Sequence, residues 1–139
     1  MQVKNVKFFH PREIESAKLL KSQNLDWVVR IGDWFVADDS YNVVLDTETR
    51  DGKMLLVGRN DSVYDKSEVI PMFHRVDCRA WLMERGWNVR IDHLCDGQVR
   101  VVARLRGTDC RVTRTEPTEL AAAYSVMAEV SNLMSYCWA

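Results

Sequence analysis

Six arginines, Arg90, Arg100, Arg104, Arg106, Arg111 and Arg114, fall close together, with no lysine among them. A guanidinium is planar, always charged and carries five donors, so it matches phosphate or carboxylate oxygens two at a time. Residues 75–114 hold nine arginines against five acids, a local surplus of four positive charges. Four of these side chains, Arg90, Arg100, Arg104 and Arg106, are the candidate partner-binding residues of a basic face. Such a face would dock nucleic acid or an acidic protein. The ordinary reading is a solvated sheet face kept soluble by charge.

The acids concentrate elsewhere. Residues 26–70 carry ten acids and five bases. Asp38, Asp39, Asp46, Glu48 and Asp51 are the candidate acidic docking residues, fit to occupy a basic groove by mimicking nucleic acid. Against this stands local turn chemistry, because an aspartate side chain hydrogen-bonds its own backbone in turns.

Metal and catalytic chemistry have less to build on. His74 and Cys78 lie four apart, His93 and Cys95 two apart, and Cys110 could join them across a sheet. Thiolates and imidazoles are zinc ligands, but no Cys-x-x-Cys occurs, so neither a metal nor any other cofactor is expected. Asp38-Asp39 lacks a neighbouring His, Ser or Cys that would make a catalytic set, and no glycine-rich phosphate loop is present. The expectation is a protein that is not an enzyme. Trp34, Phe35, Tyr41 and Tyr64 could line a groove, although aromatic residues of small barrels usually form the core.

The 139 residues are 47% hydrophobic and 28% charged, with a formal net charge of -1. That is too apolar for a disordered tail and too charged for a membrane protein. Near-neutrality excludes a uniformly basic, DNA-coating protein. It arises by cancellation: +3 over residues 1–25, -5 over 26–70, +4 over 71–114 and -3 over 115–139. The N-terminus, Met1-Gln2-Val3-Lys4, lacks the apolar core of an export signal, and no apolar run could span a bilayer. The chain reads as cytoplasmic, with its four cysteines reduced.

The elements that must position these residues follow from patterning. Residues 1–10 alternate weakly and read as an edge strand. Pro11 opens a helix that buries Ile14, Ala17, Leu19 and Leu20 and ends near Asn24. Five strands are expected over 27–31, 34–37, 41–46, 53–58 and 67–73, separated by turn signals such as Asp51-Gly52. Together they suggest a small, highly curved antiparallel barrel, SH3-like in size, with Pro71 at a strand end or edge.

Asp77 is expected to cap a second helix, with Val76 and Trp81 as its hydrophobic staple and Gly86 as its stop. Trp87, Val89, Ile91 and His93 then alternate with polar residues, as do Val99, Val101, Ala103 and Leu105. A two-residue Asp96-Gly97 loop would set the apolar faces against each other. A three-residue loop, with Gly97 left-handed, pairs Leu94 with Gln98 and Ile91 with Val101. That register also puts Asp92 opposite Arg100 and Asn88 opposite Arg104. A third strand, 110–114, completes a meander. A final helix, capped by Thr115 or Glu116, carries an apolar stripe of Leu120, Ala123, Met127, Val130 and Met134. The fold class is α+β. Residues 1–73 form a helix plus β-module, and residues 74–139 a helix–meander–helix module packed on it. The apolar end Tyr136-Cys137-Trp138-Ala139 either packs back on the core or forms a homodimer.

The helix ending in Gly86, the strand pair after it, and the segment Glu116-Pro117-Thr118-Glu119-Leu120-Ala121-Ala122-Ala123-Tyr124 resemble the phage ABA-sandwich domain in general pattern. The resemblance covers under half of the chain and carries no catalytic residues. It implies a phage or mobile-element origin. The first expected function is therefore a non-enzymatic protein that binds and inhibits or regulates a host protein, an anti-CRISPR-like defence inhibitor being the concrete version. The second is a nucleic-acid-binding module that uses the arginine face. No membrane partner is expected.

Overall fold

Proline fixes φ and lacks an N–H, which costs nothing in the first turn of a helix. In the computed structural model, which describes residues 9–138, helix α1 spans Pro11–Ser22. Asn24, with φ 59, ends it in the left-handed conformation. Ala17 and Leu20 are buried as expected, whereas Leu19 is 50% exposed and Ser16 takes the inward position instead. The strand read over 1–10 lies outside the described residues, apart from Phe9 and His10.

The chain divides into two compact units. One comprises Asp26–Phe73 with the described residues up to Pro11, and the other Arg12–Leu25 with His74 onward. Helix α1, expected with the β-module, thus groups with the second half of the chain. The reason is specific pairing. The Arg12 guanidinium grips Glu116 through both carboxylate oxygens, at 2.9 and 2.8 Å. Glu13 accepts a 2.7 Å hydrogen bond from the Thr118 hydroxyl.

The first unit holds six short strands: β1 Trp34–Ala37, β2 Ser40–Val43, β3 Asp46–Arg50, β4 Lys53–Val57, β5 Val63–Asp65 and β6 Ile70–Met72. They form two antiparallel sheets, ordered β2-β1-β6 and β3-β4-β5. Both contribute to one core of Trp27, Phe35, Ala37, Val44, Leu56 and Val69. Pro71 lies on the edge strand β6, where a missing donor is tolerated.

Three expectations for this unit change. Residues 27–31 are not a strand. Their backbone turns at Arg30, whose N–H goes to the Asp33 carboxylate at 2.8 Å, and only Trp27 is buried, while Val28 and Ile31 stay exposed. The strand read over 41–46 breaks at Val44-Leu45 and resumes as β3 in the other sheet. The segment read as 67–73 begins with a single 3-10 turn, Lys66–Glu68, capped by Asp65.

In the second unit, helix α2 spans Arg75–Glu84, with His74 at the N-cap position and no side-chain cap. Asp77 therefore lies inside the first turn, and Val76, 77% exposed, makes no staple. The helix does stop at Gly86, φ 92. Strands β7 Trp87–His93, β8 Val99–Leu105 and β9 Arg111–Glu116 form an antiparallel meander. The register is the one the three-residue loop requires: Ile91 pairs with Val101, Leu94 N–H donates to Gln98 at 2.9 Å, and Gly97 has φ 86.

Helix α3 spans Glu119–Trp138. Because β9 runs on to Glu116, the cap is Thr118, whose hydroxyl accepts from the Ala121 N–H at 3.2 Å, and neither Thr115 nor Glu116 serves. Ala121 to Tyr124, Val126 to Ala128 and Val130 are all buried, so α3 is enclosed well beyond one stripe. It packs on β8 and β9 and also on α2. The side chains of residues 136–139 lie outside the described set.

Candidate functional site

Period-two alternation assigns every side chain of the meander to one of two faces. Trp87, Val89, Val101, Ala103 and Val112 share the face that packs on the helices. The opposite face carries Asn88, Arg90 and Asp92 from β7, Arg100, Val102 and Arg104 from β8, and Arg111, Thr113 and Thr115 from β9. Four of these nine residues are arginines and one is a carboxylate.

At one end, Asp92 stands opposite Arg100 and two residues from Arg90. Its Oδ2 accepts from Arg90 Nε at 3.3 Å and from Arg100 at 3.3 and 3.4 Å. These are long contacts, and a single carboxylate is shared between two guanidiniums. Arg90 remains 66% and Arg100 41% exposed in their side chains.

At the other end, Arg104 and Arg111 are directly opposite each other. Like charges in this position repel. Arg104 Nε donates to the Thr108 carbonyl at 3.0 Å, and no carboxylate among the described residues pairs with either guanidinium. Between the two ends lies Val102, 7% exposed, whose neighbours on this face are Arg90, Arg100, Arg104 and Thr113. Aliphatic arginine stems are within reach to cover it while their heads stay in water.

Two arginines named from sequence are not part of this face. Arg106 lies just beyond β8, and its guanidinium donates to the Met83 and Gly86 carbonyls at 2.7 and 3.2 Å. These carbonyls lie at the C-terminal end of α2, where the helix dipole attracts a cation, and this draws Arg106 away. Arg114 is opposite Val101, on the helix side, and pairs with Glu129 at 3.3 Å. Arg111 takes the place that the narrower sequence choice gave to Arg106. Its signal was the register across the Gly107-Thr108-Asp109 turn.

The acidic candidates are divided among local structural roles. Asp38 and Asp39, at φ 51 and 62, form the left-handed turn between β1 and β2. Asp51, φ 54, does the same with Gly52 between β3 and β4. Asp46 accepts from the Thr47 N–H at 2.8 Å, and Glu48 pairs with Arg50 at 2.9 Å. Asp46 and Glu48 share a face of β3, while the Asp38-Asp39 turn belongs to the other sheet. Asp33 emerges as a structural carboxylate: it is nearly buried and accepts from Trp27 Nε1 at 3.1 Å as well as from Arg30 N–H. Asp65 is held below the usual carboxylate range by hydrogen bonds from the Ser67 N–H and hydroxyl.

The remaining candidates fall apart in space or into the core. Cys78 is buried in α2, Cys95 and Cys110 are exposed in turns, and all three are free thiols. His74 is exposed at the N-cap of α2, and His93 is exposed at the end of β7. Among the described residues, no three His, Cys, Asp or Glu side chains could hold a metal ion together. Phe35 is fully buried with Tyr64 edge-on at 5.4 Å, and Trp34 and Tyr41 pack with Phe9. No described helix is long and apolar enough to cross a membrane. No protein-family model, curated protein or solved structure matches this chain.

Proposed function

We propose that the protein is a non-enzymatic binding module that holds nucleic acid against the arginine face of β7-β8-β9. The observation that carries this reading is the Arg104–Arg111 pair: two exposed guanidiniums directly opposite each other, with no carboxylate between them. Such an arrangement costs stability in the free protein. An anion bound across both would reverse that cost, and phosphate is an anion that guanidinium forks fit two oxygens at a time. The reading as an inhibitor of a host protein draws on the acidic residues acting together. Those residues serve turns and ion pairs in two different sheets, so the arginine face supports the nucleic-acid reading more strongly.

The test is a gel-mobility titration at 50 mM salt with mixed DNA and RNA oligonucleotides. The wild-type chain should retard them, and Arg104→Glu combined with Arg111→Glu should weaken retardation at least tenfold with unchanged circular dichroism. If nothing shifts while a bacterial lysate yields a stoichiometric protein partner, the host-protein reading replaces this one.

A further inference from the structure

Resting on that reading of the arginine face, we infer that its ligand is the phosphate backbone of a duplex, bound without readout of base sequence, and that Asp92 limits how many phosphates are engaged. The first observation is what the face lacks. Its nine side chains are Asn88, Arg90, Asp92, Arg100, Val102, Arg104, Arg111, Thr113 and Thr115, none aromatic. Proteins that hold single strands stack the exposed bases on aromatic rings, and that stacking supplies much of the affinity. This face has no ring to offer. It has guanidiniums and threonine hydroxyls, the groups that contact phosphate oxygens and sugars. A duplex hides its bases and presents its phosphates outward, so it is the form these groups can hold.

The second observation is spacing. Arg100 and Arg104 lie four residues apart on β8, about 13 Å along an extended strand. Each is part of a pair, Arg90 with Arg100 at one end and Arg104 with Arg111 at the other. The face therefore offers two separate guanidinium pairs, each able to meet a different stretch of the phosphate backbone. All nine residues belong to the three strands of one sheet, with no protruding helix or ribbon among them to enter a groove and reach base edges.

The third observation is Asp92. It occupies one pair, at 3.3–3.4 Å from both Arg90 and Arg100, while the other pair has no such competitor. A phosphate binding at the Asp92 end must compete with a carboxylate already there. Four guanidiniums less one neutralised charge leave about three phosphates to engage, which corresponds to a slope of log K against log salt of about -3.

Fluorescence anisotropy with the full chain tests all three points. The probes are two 20-base-pair DNA duplexes of unrelated sequence and their separated strands, between 50 and 200 mM salt. The duplexes should bind equally, at least tenfold tighter than either strand, with a slope near -3. Asp92→Asn should tighten duplex binding several-fold and steepen the slope toward -4. Tighter binding of the single strands, a tenfold preference between the duplexes, or weaker binding by Asp92→Asn overturns the inference while leaving a nucleic-acid function standing. Displacement of the duplex by poly-glutamate at equal charge concentration overturns it in favour of an acidic protein partner. Failure of every probe to bind removes the function and this inference together.

Discussion

Asp33 shows how one side chain can close a stretch of irregular backbone. Residues 27–31 carry Trp27, Val28, Val29 and Ile31, a composition that favours strands. Yet strand propensity needs a partner strand, and here the Arg30 N–H that a ladder would use is taken by the Asp33 carboxylate. The same oxygen accepts from the indole of Trp27 and so seats that ring in the core. Replacing Asp33 by Ala takes this acceptor away from the buried Trp27 indole N–H and from the part-buried Arg30 N–H. Unpaired buried donors cost about 1–3 kcal/mol each, so a loss of about 2–3 kcal/mol is expected in urea unfolding. Adding Trp27→Phe removes the orphaned indole donor, so the cost of Asp33→Ala should be smaller in that background. A loss below about 0.5 kcal/mol for Asp33→Ala, under the net worth of one ordinary hydrogen bond, would show that the carboxylate does not organise this loop. The sequence pattern does not reveal this loop, because hydropathy does not register a backbone donor captured by a side chain three residues on.

At the scale of elements, the turns explain both the successes and the misreadings. The β7–β8 hairpin was readable in full because two long alternating runs allowed only one register that buried both apolar faces, and Gly97 supplied the left-handed residue. Strand β3, Asp-Thr-Glu-Thr-Arg, was hidden because four of its five residues are exposed, and β5 because it has only three residues. The arginine face was legible in Arg90, Arg100 and Arg104 through parity. Parity failed for Arg106, since alternation stops where the strand stops and the end of α2 then competes for the side chain. Asp38 and Asp39 carry charge fit for docking, but both lie at positive φ in a two-residue hairpin turn, Ala37 pairing with Ser40. Such a turn favours glycine at its second position. Asp39→Gly should therefore raise stability by about 0.5 kcal/mol, the relief of left-handed strain slightly exceeding the entropy lost by glycine. A rise in Tm with no change in duplex affinity is the expected result. A drop in Tm would mean that the Asp39 side chain makes a contribution beyond its backbone conformation.

For the molecule as a whole, a net charge of -1 conceals charges that are sorted in space, with acids at turns and caps in the first unit and arginines on one sheet face in the second. The second unit keeps its ionisable interior groups neutral. Burial pushes the Cys78 thiol well above its ordinary value of 9.0, with the nearby Asp77 charge adding to the effect. Burial likewise raises the Tyr124 phenol above its ordinary 10.0. The consequence for stability has a definite sign. Well below pH 9 both groups are protonated in the folded and unfolded chain alike, and stability does not depend on them. As pH rises through 9 and then 10, the unfolded chain releases these protons while the folded one retains them, so the unfolded state gains and stability falls. Each group contributes a decline of about 1.4 kcal/mol per pH unit once the unfolded group is ionised. Urea midpoints measured at about pH 8, 9.5 and 10.5 should fall steeply for the wild-type chain. The Cys78→Ser and Tyr124→Phe double variant starts from a lower midpoint, because the core contacts change, but its decline with pH should be shallower. The slope rather than the starting value is therefore the readout. Equal slopes would mean that these two side chains ionise as readily in the folded protein as in the unfolded chain.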